Sequence, residues 1–399
     1  MVELLSPAGD FERLEMAVAY GADAVYLAGT RFGMRAGAGN FEKDELYRAV
    51  RYCHERNVKV YITCNTIPHD SEFLDLPEYL HFLWEIQADA LIVADLGVLW
   101  AIRREIPGMK THISTQFGVV SSETACALYE LGAETVVLAR ELKLDEIRKI
   151  RQQTPSELKL ECFVHGAMCV AFSGRCLLSN YLTGRDSNRG LCAQPCRWKY
   201  HLVEETRPGE FFPVVEDNGT HIFNSRDLCM IDHIPDLLDA GVDSLKIEGR
   251  MKSFYYAAVV TGAYRHAIDA ALSGKALDVK WQNEVNMVSH RPYTTGFYFT
   301  QPGEEYADSS YSSGAEVAGV VESCSDDGLA VLTQRNRISQ GDALELLIPG
   351  RLPIPFSAGR ITSEEGFEIE STRHAMMRYC LDLPVQAPRL SIIRKLKDY

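Results

Sequence analysis

The sequence predicts an α/β fold: a (β/α)8 TIM-like barrel with a long cysteine-bearing insertion, plus a small C-terminal all-β domain that is barrel-like. Eight short apolar runs alternate with amphipathic helical patterns through the first two thirds of the chain. Four of these runs follow a similar phrase, in which a helix ends, an acidic residue follows and apolar residues begin. The phrases start at Gly21, Gln87, Gly132 and Gly241. A doubly wound open sheet is the alternative, and the count of eight and the repeated phrase favour the barrel.

The individual elements follow from the period of the hydrophobic pattern. Apolar runs of strand length lie at residues 3–5, 24–27, 58–64, 90–94, 110–114, 135–139, 158–163 and 244–247. Runs with helical period lie at residues 10–20, 43–55, 76–87, 122–131, 144–152 and about 254–273. The insertion lies between the seventh and eighth strands, where the loops of a barrel build its active face.

These patterns also predict the domain boundaries. We expect the barrel over residues 1–275, with the cysteine-rich segment at 162–229 inside it, and a linker over 276–313. From residue 314 to 399, short alternating apolar runs predict strands at 317–321, 329–332, 343–348, 367–371 and 390–393. Such a run of short strands is typical of a small β-barrel-like domain.

The composition allows a large core and argues against several classes of protein. Of 399 residues, 46% are apolar, and the net charge is −14 with an isoelectric point near 5.3. This balance argues against a wholly basic nucleic-acid-binding protein but is compatible with a local basic face. The opening residues lack the basic and apolar regions of a secretory signal, and no apolar run reaches the roughly 18 residues of a membrane helix. We therefore expect a cytoplasmic protein with no membrane partner, whose thiols stay reduced.

Six of the 11 cysteines lie between residues 162 and 229, and they are the most informative feature of the chain. Thiolates bind soft metals and iron–sulfur clusters. The favoured ligands are Cys169, Cys176, Cys192 and Cys229, with Cys196 as a substitute; Cys162 lies within a strand and is expected in the core. The spacing matches neither a zinc ribbon nor the ferredoxin pattern. Three interpretations stay open at this point: an iron–sulfur cluster, structural zinc, or buried thiols that pack as small apolar residues.

A second group of candidates lies at the ends of the predicted strands. Lys246 and Glu248 point the same way by strand alternation and are candidate catalytic residues, the alternative being a buried ion pair that holds the barrel together. Arg250 lies past the end of its strand and is the better candidate for binding an anion. His165 follows the seventh strand and is a candidate general acid, a neighbour of the cysteine site, or a core histidine. Other polar residues at strand ends, including Asn65 and Gln116, are candidates to contact substrate.

A third feature is the local charge of the insertion, since residues 174–200 carry five basic side chains and one acidic side chain. Four of the basic residues are predicted to bind RNA: Arg185, Arg189, Arg197 and Lys199. Tyr181, Trp198 and Tyr200 are interleaved with them, and arginine with aromatic side chains suits single-stranded RNA. An ordinary solvated loop is the alternative.

At these residues the chain resembles peptidase family U32, the collagenase-like peptidases. The family signature runs from a glutamate and a phenylalanine, through glycine and small residues, to two cysteines and a closing serine. It is filled here by Glu161, Phe163, Gly166, Ala167, Met168, Cys169, Gly174, Cys176, Leu178 and Ser179. The phrases that start at Leu4, Asn224 and Lys246 also look like this family, and the resemblance spans most of residues 1–275.

The resemblance implies RNA modification more than proteolysis. The chain looks most like family members that help to convert the wobble uridine of tRNA to 5-hydroxyuridine, with prephenate required. Several members carry a 4Fe–4S cluster on four cysteines, which would here be Cys169, Cys176, Cys192 and Cys229, so that residues 162–229 form an iron–sulfur segment. The implied cofactors are this cluster and prephenate, a dianion that Arg250 or Lys246 is expected to bind. The implied partner is tRNA, together with a paralogous partner subunit in some relatives.

Three other functions stay open from the sequence. These are hydroxylation of ribosomal RNA, peptidase activity true to the family name, and a zinc-bearing RNA-binding scaffold. The chain contains neither the H-E-x-x-H nor the G-x-S-x-G motif, although nucleophile arrangements assembled across the fold are compatible with the sequence.

Overall fold

The computed structural model describes residues 2–34, 39–169, 171–198, 201–202, 212–213, 226–299 and 311–397. The chain forms two compact units. The first comprises Met1–Leu14, Asp23–Lys252 and Arg291–Ser310, and the second comprises Glu15–Ala22, Ser253–His290 and Tyr311–Tyr399.

The first unit contains a closed barrel of eight parallel strands. The strands are β1 Glu3–Pro7, β2 Ala24–Leu27, β3 Lys59–Cys64, β4 Ala90–Val93, β5 Thr111–Ile113, β6 Thr135–Val137, β7 Lys159–Ala167 and β11 Ser244–Ile247. Each pairs with the next, and β11 pairs with both β7 and β1, which closes the ring. The predicted TIM-like barrel is therefore confirmed, and the repeated apolar runs are its strands.

The helices of this unit connect successive strands. They are α2 Lys43–His54, α3 Leu76–Glu85, α4 Leu96–Glu105, α5 Ser122–Glu130, α6 Leu144–Gln153, α7 Leu178–Thr183 and α8 Ile234–Asp239, and α1, Phe11–Ala19, begins here. Asp95 and Ser121 cap α4 and α5 by accepting hydrogen bonds from the first turn of each helix. Gly132 and Gly241 adopt φ of 92° and 78° where helices end, a conformation that glycine adopts without strain.

Alternate strand residues fill the barrel interior. Buried side chains of β1 to β4 form one apolar cluster: Leu5, Ala24, Tyr26, Tyr61, Ala90 and Ile92. Because all eight strands run in the same direction, their carboxyl ends meet at one end of the barrel, and the loops that follow them surround one site.

The insertion occupies the chain between β7 and β11. Strand β7 continues past its predicted end at residue 163, because its last residues pair antiparallel with β10, Asp227–Cys229. Strand β10 also pairs with β12, Tyr293–Thr294, and β8, His201–Leu202, pairs with β9, Phe212–Pro213. The described part of the insertion also contains α7, α8 and short 3-10 turns at Phe172–Gly174, Ser187–Arg189, Pro195–Arg197 and Ile231–His233.

The second unit is built on an antiparallel sheet of eight strands that forms a half-barrel. Its strands are β13 Ala315–Cys324, β14 Leu329–Gln334, β15 Ala343–Leu347, β16 Ile354–Ser357, β17 Ile361–Ser363, β18 Glu368–Ile369, β19 Arg378–Asp382 and β20 Ile392–Leu396. Helices α9 Phe254–Leu272 and α10 Val279–Glu284 belong to the same unit. The small C-terminal all-β domain is thus confirmed. In the part of the chain described here, no helix combines the length and apolar character needed to cross a bilayer.

A buried ionic cluster lies in the second unit beside its apolar core. Arg394 is 1% exposed and donates to both carboxylate oxygens of Glu284 at 2.8 Å. It also donates to Glu345 at 2.8 Å and to the hydroxyl of Tyr255 at 3.0 Å. Burial by itself would lower the pKa of Arg394, but the two carboxylates outweigh burial and raise it, so the guanidinium stays charged.

Candidate active site at the carboxyl end of the barrel

A cavity of about 150 Å³, open to solvent, lies at the carboxyl ends of the barrel strands. The barrel contributes residues at or just after strand ends, among them Tyr26, Thr63, Asn65, Gln116, Arg140, Phe163, Lys246, Glu248 and Arg250. The insertion contributes its cysteines and the small residues beside them. An apolar cleft with a few convergent polar groups at this end of a barrel is the usual place for a substrate.

Four of the predicted cysteines line this cavity: Cys169, Cys176, Cys192 and Cys196. Cys169 is exposed and the other three are half-buried. The backbone N–H of Leu178 donates to the sulfur of Cys176 at 3.4 Å, and that of Gln194 donates to the sulfur of Cys192 at the same distance. Hydrogen bonds to sulfur stabilise thiolate charge and help to set the potential of iron–sulfur sites.

Four sulfur atoms line one cavity, and sulfur is the type of ligand atom that soft metals prefer. Among the residues that the structure describes, however, no three His, Cys, Asp or Glu side chains come close enough together to hold a metal ion. Three of the four favoured ligands lie in the cavity wall. The fourth, Cys229, is not among the described lining residues, whereas Cys196, the substitute for one of the four, is.

The backbone around Cys176 is held by side chains on both sides. Asn188 accepts from the N–H of Cys176 at 3.2 Å, and the side chains of Asn188 and Ser187 both donate to its carbonyl. Upstream, Glu141 accepts from the N–H and the hydroxyl of Ser173 at 2.6 and 2.7 Å. The insertion is therefore fastened to the end of the barrel next to the thiol.

Three other cysteines are buried and differ in acidity from an ordinary thiol. Burial raises the pKa of Cys53, Cys64 and Cys162 to about 12 in each case. They stay protonated at neutral pH and are poor metal ligands. Cys162 packs in the core, as its position within a strand predicts.

His165 and Cys229 face each other across the β7–β10 pair, where they are Cα partners. His165 is 1% exposed, and its ring lies 5.2 Å from that of Tyr293, whose hydroxyl is 3.4 Å from Nε2. Burial raises the pKa of Tyr293 well above its ordinary value. This packing resembles that of a core histidine more than that of a general acid, and a catalytic role for His165 stays a prediction.

Lys246 and Glu248 both line the cavity but have different partners. Lys246 donates to Glu161 at 2.7 Å, and both side chains are almost fully buried. Ser244 donates to the other oxygen of the same carboxylate at 3.1 Å. Glu248 accepts from the hydroxyl of Tyr26 at 3.2 Å. The buried ion pair that the sequence analysis gave as an alternative is present. Its acidic member is Glu161 of β7 and not Glu248.

Arg250 is 4% exposed and lies in the cavity wall. Its guanidinium donates to the hydroxyl of Thr63 at 3.3 Å, to Asn40 at 3.2 Å and to the carbonyl of Met34. Its own carbonyl would collide with a Cβ at Gly9, so a glycine is needed there. Arg250 is thus a fixed positive charge that also connects the loop after β2 to the end of strand β3.

The sequence analysis missed Arg140, which also lines the cavity. It donates to the carbonyl of Ala167 at 3.0 Å, and its guanidinium lies 5.0 Å from the centre of the Phe163 ring. Arg140 directly follows the predicted sixth strand, so the same strand-end rule that selected the other candidates would have found it. With Lys246 and Arg250 it gives the cavity three basic side chains against the single carboxylate of Glu248 among the described lining residues.

The predicted RNA-binding residues differ in their surroundings. Arg185 is exposed, as is Tyr181 at 88% of its surface. Arg189 is half-buried and forms an ion pair of 2.9 Å with Glu72. The side chain of Arg197 and the whole of Lys199 lie outside the described residues.

Comparison with known families accounts for both units. The family model described as peptidase family U32 matches residues 9–308, and that of the peptidase family U32 C-terminal domain matches residues 314–394. The chain belongs to peptidase family U32. The two matches together extend across both units of the chain.

Relatives of this chain carry three kinds of name. The Bacillus subtilis (strain 168) tRNA hydroxylation protein P1 is 35% identical over 381 residues, covering 94% of this chain and 90% of the relative. The Escherichia coli (strain K12) 23S rRNA 5-hydroxycytidine C2501 synthase is 36% identical, covering 87% of this chain and 52% of the relative. The Porphyromonas gingivalis (strain ATCC BAA-308 / W83) protein named Collagenase is 33% identical, covering 78% of this chain and 77% of the relative.

Proposed function

We propose that this protein is an RNA-modifying enzyme that hydroxylates the wobble uridine of tRNA to 5-hydroxyuridine. The observation that carries the proposal is the cavity at the carboxyl end of the barrel, in which four thiols and three basic side chains face the same space. The relative that matches over nearly its whole length is named for tRNA hydroxylation, which supports tRNA as the substrate.

The proposed cofactor is a 4Fe–4S cluster held by Cys169, Cys176, Cys192 and a fourth cysteine. When bound, such a cluster supplies electron transfer. Cys229 is the fourth ligand that the family resemblance implies, and Cys196 is favoured by its place in the cavity wall. Comparing the iron content of Cys196→Ala and Cys229→Ala decides between them, since only the true ligand should lower it.

Prephenate is the second proposed cofactor, and the basic residues of the cavity would bind its two carboxylates. Lys246 is a weaker candidate than Arg250, because Glu161 already neutralises Lys246 at 2.7 Å. Arg250 lies in the cavity wall, where Thr63, Asn40 and the carbonyl of Met34 hold its guanidinium in place. If Arg250→Ala kept the wild-type rate across prephenate concentrations, this assignment would be wrong.

The exposed Arg185, beside Tyr181, is the proposed contact for the RNA backbone, and Arg189, Arg197 and Lys199 would extend it. A paralogous partner subunit is also proposed from the family resemblance. Size measurement of the purified protein with and without tRNA tests that part separately.

The test of the whole proposal begins with protein purified without oxygen. We expect about four irons and four sulfides per chain, and 5-hydroxyuridine in tRNA after incubation with prephenate, measured by mass spectrometry of nucleosides. Cys176→Ala should lose both, whereas Cys126→Ala, a half-buried thiol on α5, should keep both. Protein that holds zinc without iron or sulfide would instead favour the RNA-binding scaffold.

Two alternatives follow from the names of relatives. Hydroxylation of a ribosomal RNA cytidine is suggested by the Escherichia coli relative, of which this chain covers 52%. Peptidase activity is suggested by the relative named Collagenase. Cleavage of gelatin by metal-free protein, abolished by a single substitution in the cavity, would support the peptidase.

A further inference from the structure

Two amide side chains meet in the cavity wall between the barrel and the cysteines. Asn65 follows β3 and Gln116 follows β5, and the amide nitrogen of Asn65 donates to Oε1 of Gln116 at 3.0 Å. Ser114 donates to the same oxygen at 3.3 Å. Gln116 is 5% exposed, and its Nε2 has no hydrogen-bond partner among the residues that the structure describes.

The hydrogen bonds fix which atom of each amide is the oxygen and which is the nitrogen. The backbone N–H of Met34 donates to Oδ1 of Asn65 at 3.1 Å, so that atom must be the oxygen. The amide nitrogen of Asn65 then requires an acceptor, which is Oε1 of Gln116. Nε2 of Gln116 is therefore the atom left over, so the unused hydrogen-bonding capacity of this side chain in the cavity wall consists of donors and not of acceptors.

The backbone of Gln116 is also fastened to the cysteine segment. Arg175, the residue before Cys176, donates from Nε to the carbonyl of Gln116 at 2.5 Å. A group bound at Nε2 is therefore held at the boundary between the barrel and the thiols. A buried donor without an acceptor is unfavourable, so an acceptor on the substrate is the natural partner.

We propose that Gln116 is the residue that selects uracil over cytosine, by donating from Nε2 to the C4 carbonyl oxygen of the base. This inference rests on the proposed function. Uracil has an acceptor at C4, whereas cytosine has an amino group there, which would face the Gln116 donor with hydrogens. The C4 carbonyl adjoins C5, so this hydrogen bond also positions the carbon that is hydroxylated.

The test compares anticodon stem-loop RNAs that carry uridine or cytidine at the wobble position. Wild-type protein should bind the uridine RNA about tenfold more tightly, as one well-placed base contact allows. Gln116→Met has a similar length but no donor, and it should bring the ratio close to one by weakening the uridine RNA. Gln152→Met, at an exposed site on α6, is the control and should leave the ratio unchanged.

A second variant should reverse the orientation of the Gln116 amide without any substitution at Gln116 itself. In Asn65→Asp the new carboxylate still accepts from Met34 but now also requires a donor from Gln116. The Gln116 amide should turn, Oε1 should face the cavity, and the preference should shift to the cytidine RNA. Asn57→Asp, at an exposed position before β3, makes the same charge change elsewhere and should not shift it.

The outcomes separate this inference from the proposed function. If wild-type protein hydroxylates tRNA uridine and folded Gln116→Met and Asn65→Asp keep the wild-type ratio, the inference is wrong and the function stands. If both variants weaken the two RNAs equally, or raise the KM for prephenate instead, Gln116 does not read the base. If wild-type protein neither binds nor hydroxylates tRNA, the proposed function fails and the inference fails with it.

Discussion

Two buried polar sites of this protein, one in each unit, treat their hydrogen-bonding groups in opposite ways. In the C-terminal unit, each nitrogen of Arg394 contacts a carboxylate of Glu284 or Glu345. At the mouth of the barrel, Gln116 keeps a buried donor without a partner in the described residues, and four thiols share a cavity. The satisfied groups of the Arg394 cluster stabilise the fold, whereas the unpartnered donor of Gln116 and the four thiols line the cavity that is proposed to bind substrate.

This comparison predicts that substitutions in the two places have different consequences. Removing a satisfied buried charge should lower stability strongly, because its partner stays buried without compensation. Removing a group that lines the cavity, such as the Gln116 amide or one of the thiols, should change RNA binding or metal content with little effect on the free energy of unfolding.

The largest expected effect is on the Arg394 cluster. Arg394→Met should lower the free energy of unfolding by about 3–5 kcal/mol, since Glu284 would be left buried and charged. The matched control is Arg389→Met, which breaks the more exposed pair with Glu15 and should cost less than about 1 kcal/mol. Urea denaturation of both variants measures the difference, and equal losses would contradict a special role for the buried cluster.

The second largest effect concerns His112, in β5 inside the barrel. Burial lowers the pKa of His112 to about 3, and the nearby Lys246 contributes in the same direction. Between about pH 6.5 and 3 the unfolded state therefore binds more protons than the folded state. The free energy of unfolding should decrease as the pH is lowered across that window. The expected loss is about 2 kcal/mol between pH 6.5 and 5. Urea denaturation at each pH should show a shallower dependence for His112→Gln, and an unchanged slope would contradict this.

The sequence predicted the barrel well because each strand is marked locally by an apolar run, and four of the eight runs follow a recognisable helix end. The partner of Lys246 was not predictable in this way. Alternation indicates that Lys246 and Glu248 share a face, but Glu161 reaches Lys246 through the pairing of β7 with β11, which joins residues far apart in the chain. Local patterns carry no information on that register.

The candidate site was predicted in part for the same reason. Cys169, Cys176 and Cys192 were identified by the clustering of cysteines in the insertion and by family resemblance, and they lie in one cavity wall. The hydrogen bond between Asn65 and Gln116 depends on the strand order, which places β3 and β5 on either side of β4. Strand-end position suggested each residue alone but gave no indication that they form a pair.

A smaller effect on stability separates the available thiols from the buried ones. Cys162→Ala should cost about 1 kcal/mol by leaving a small cavity in the core, and it should keep the iron content of wild type. Cys176→Ala in metal-free protein should change the free energy of unfolding by less than about 0.5 kcal/mol and should abolish iron binding. Iron analysis and urea denaturation of the two variants test this, and loss of iron in Cys162→Ala alone would reverse the assignment.

The smallest expected effect distinguishes two arginines of the insertion. Arg185 is exposed and available for a phosphate, whereas Arg189 is already paired with Glu72. Arg185→Ala should reduce the slope of log affinity for tRNA against log salt concentration by about 0.7–0.9, the contribution of one phosphate contact. Arg189→Ala should reduce it less, because binding RNA requires Arg189 to leave Glu72. A larger reduction in Arg189→Ala would mean that the ion pair opens when RNA binds, and that satisfied groups at the mouth of the barrel also take part in recognition.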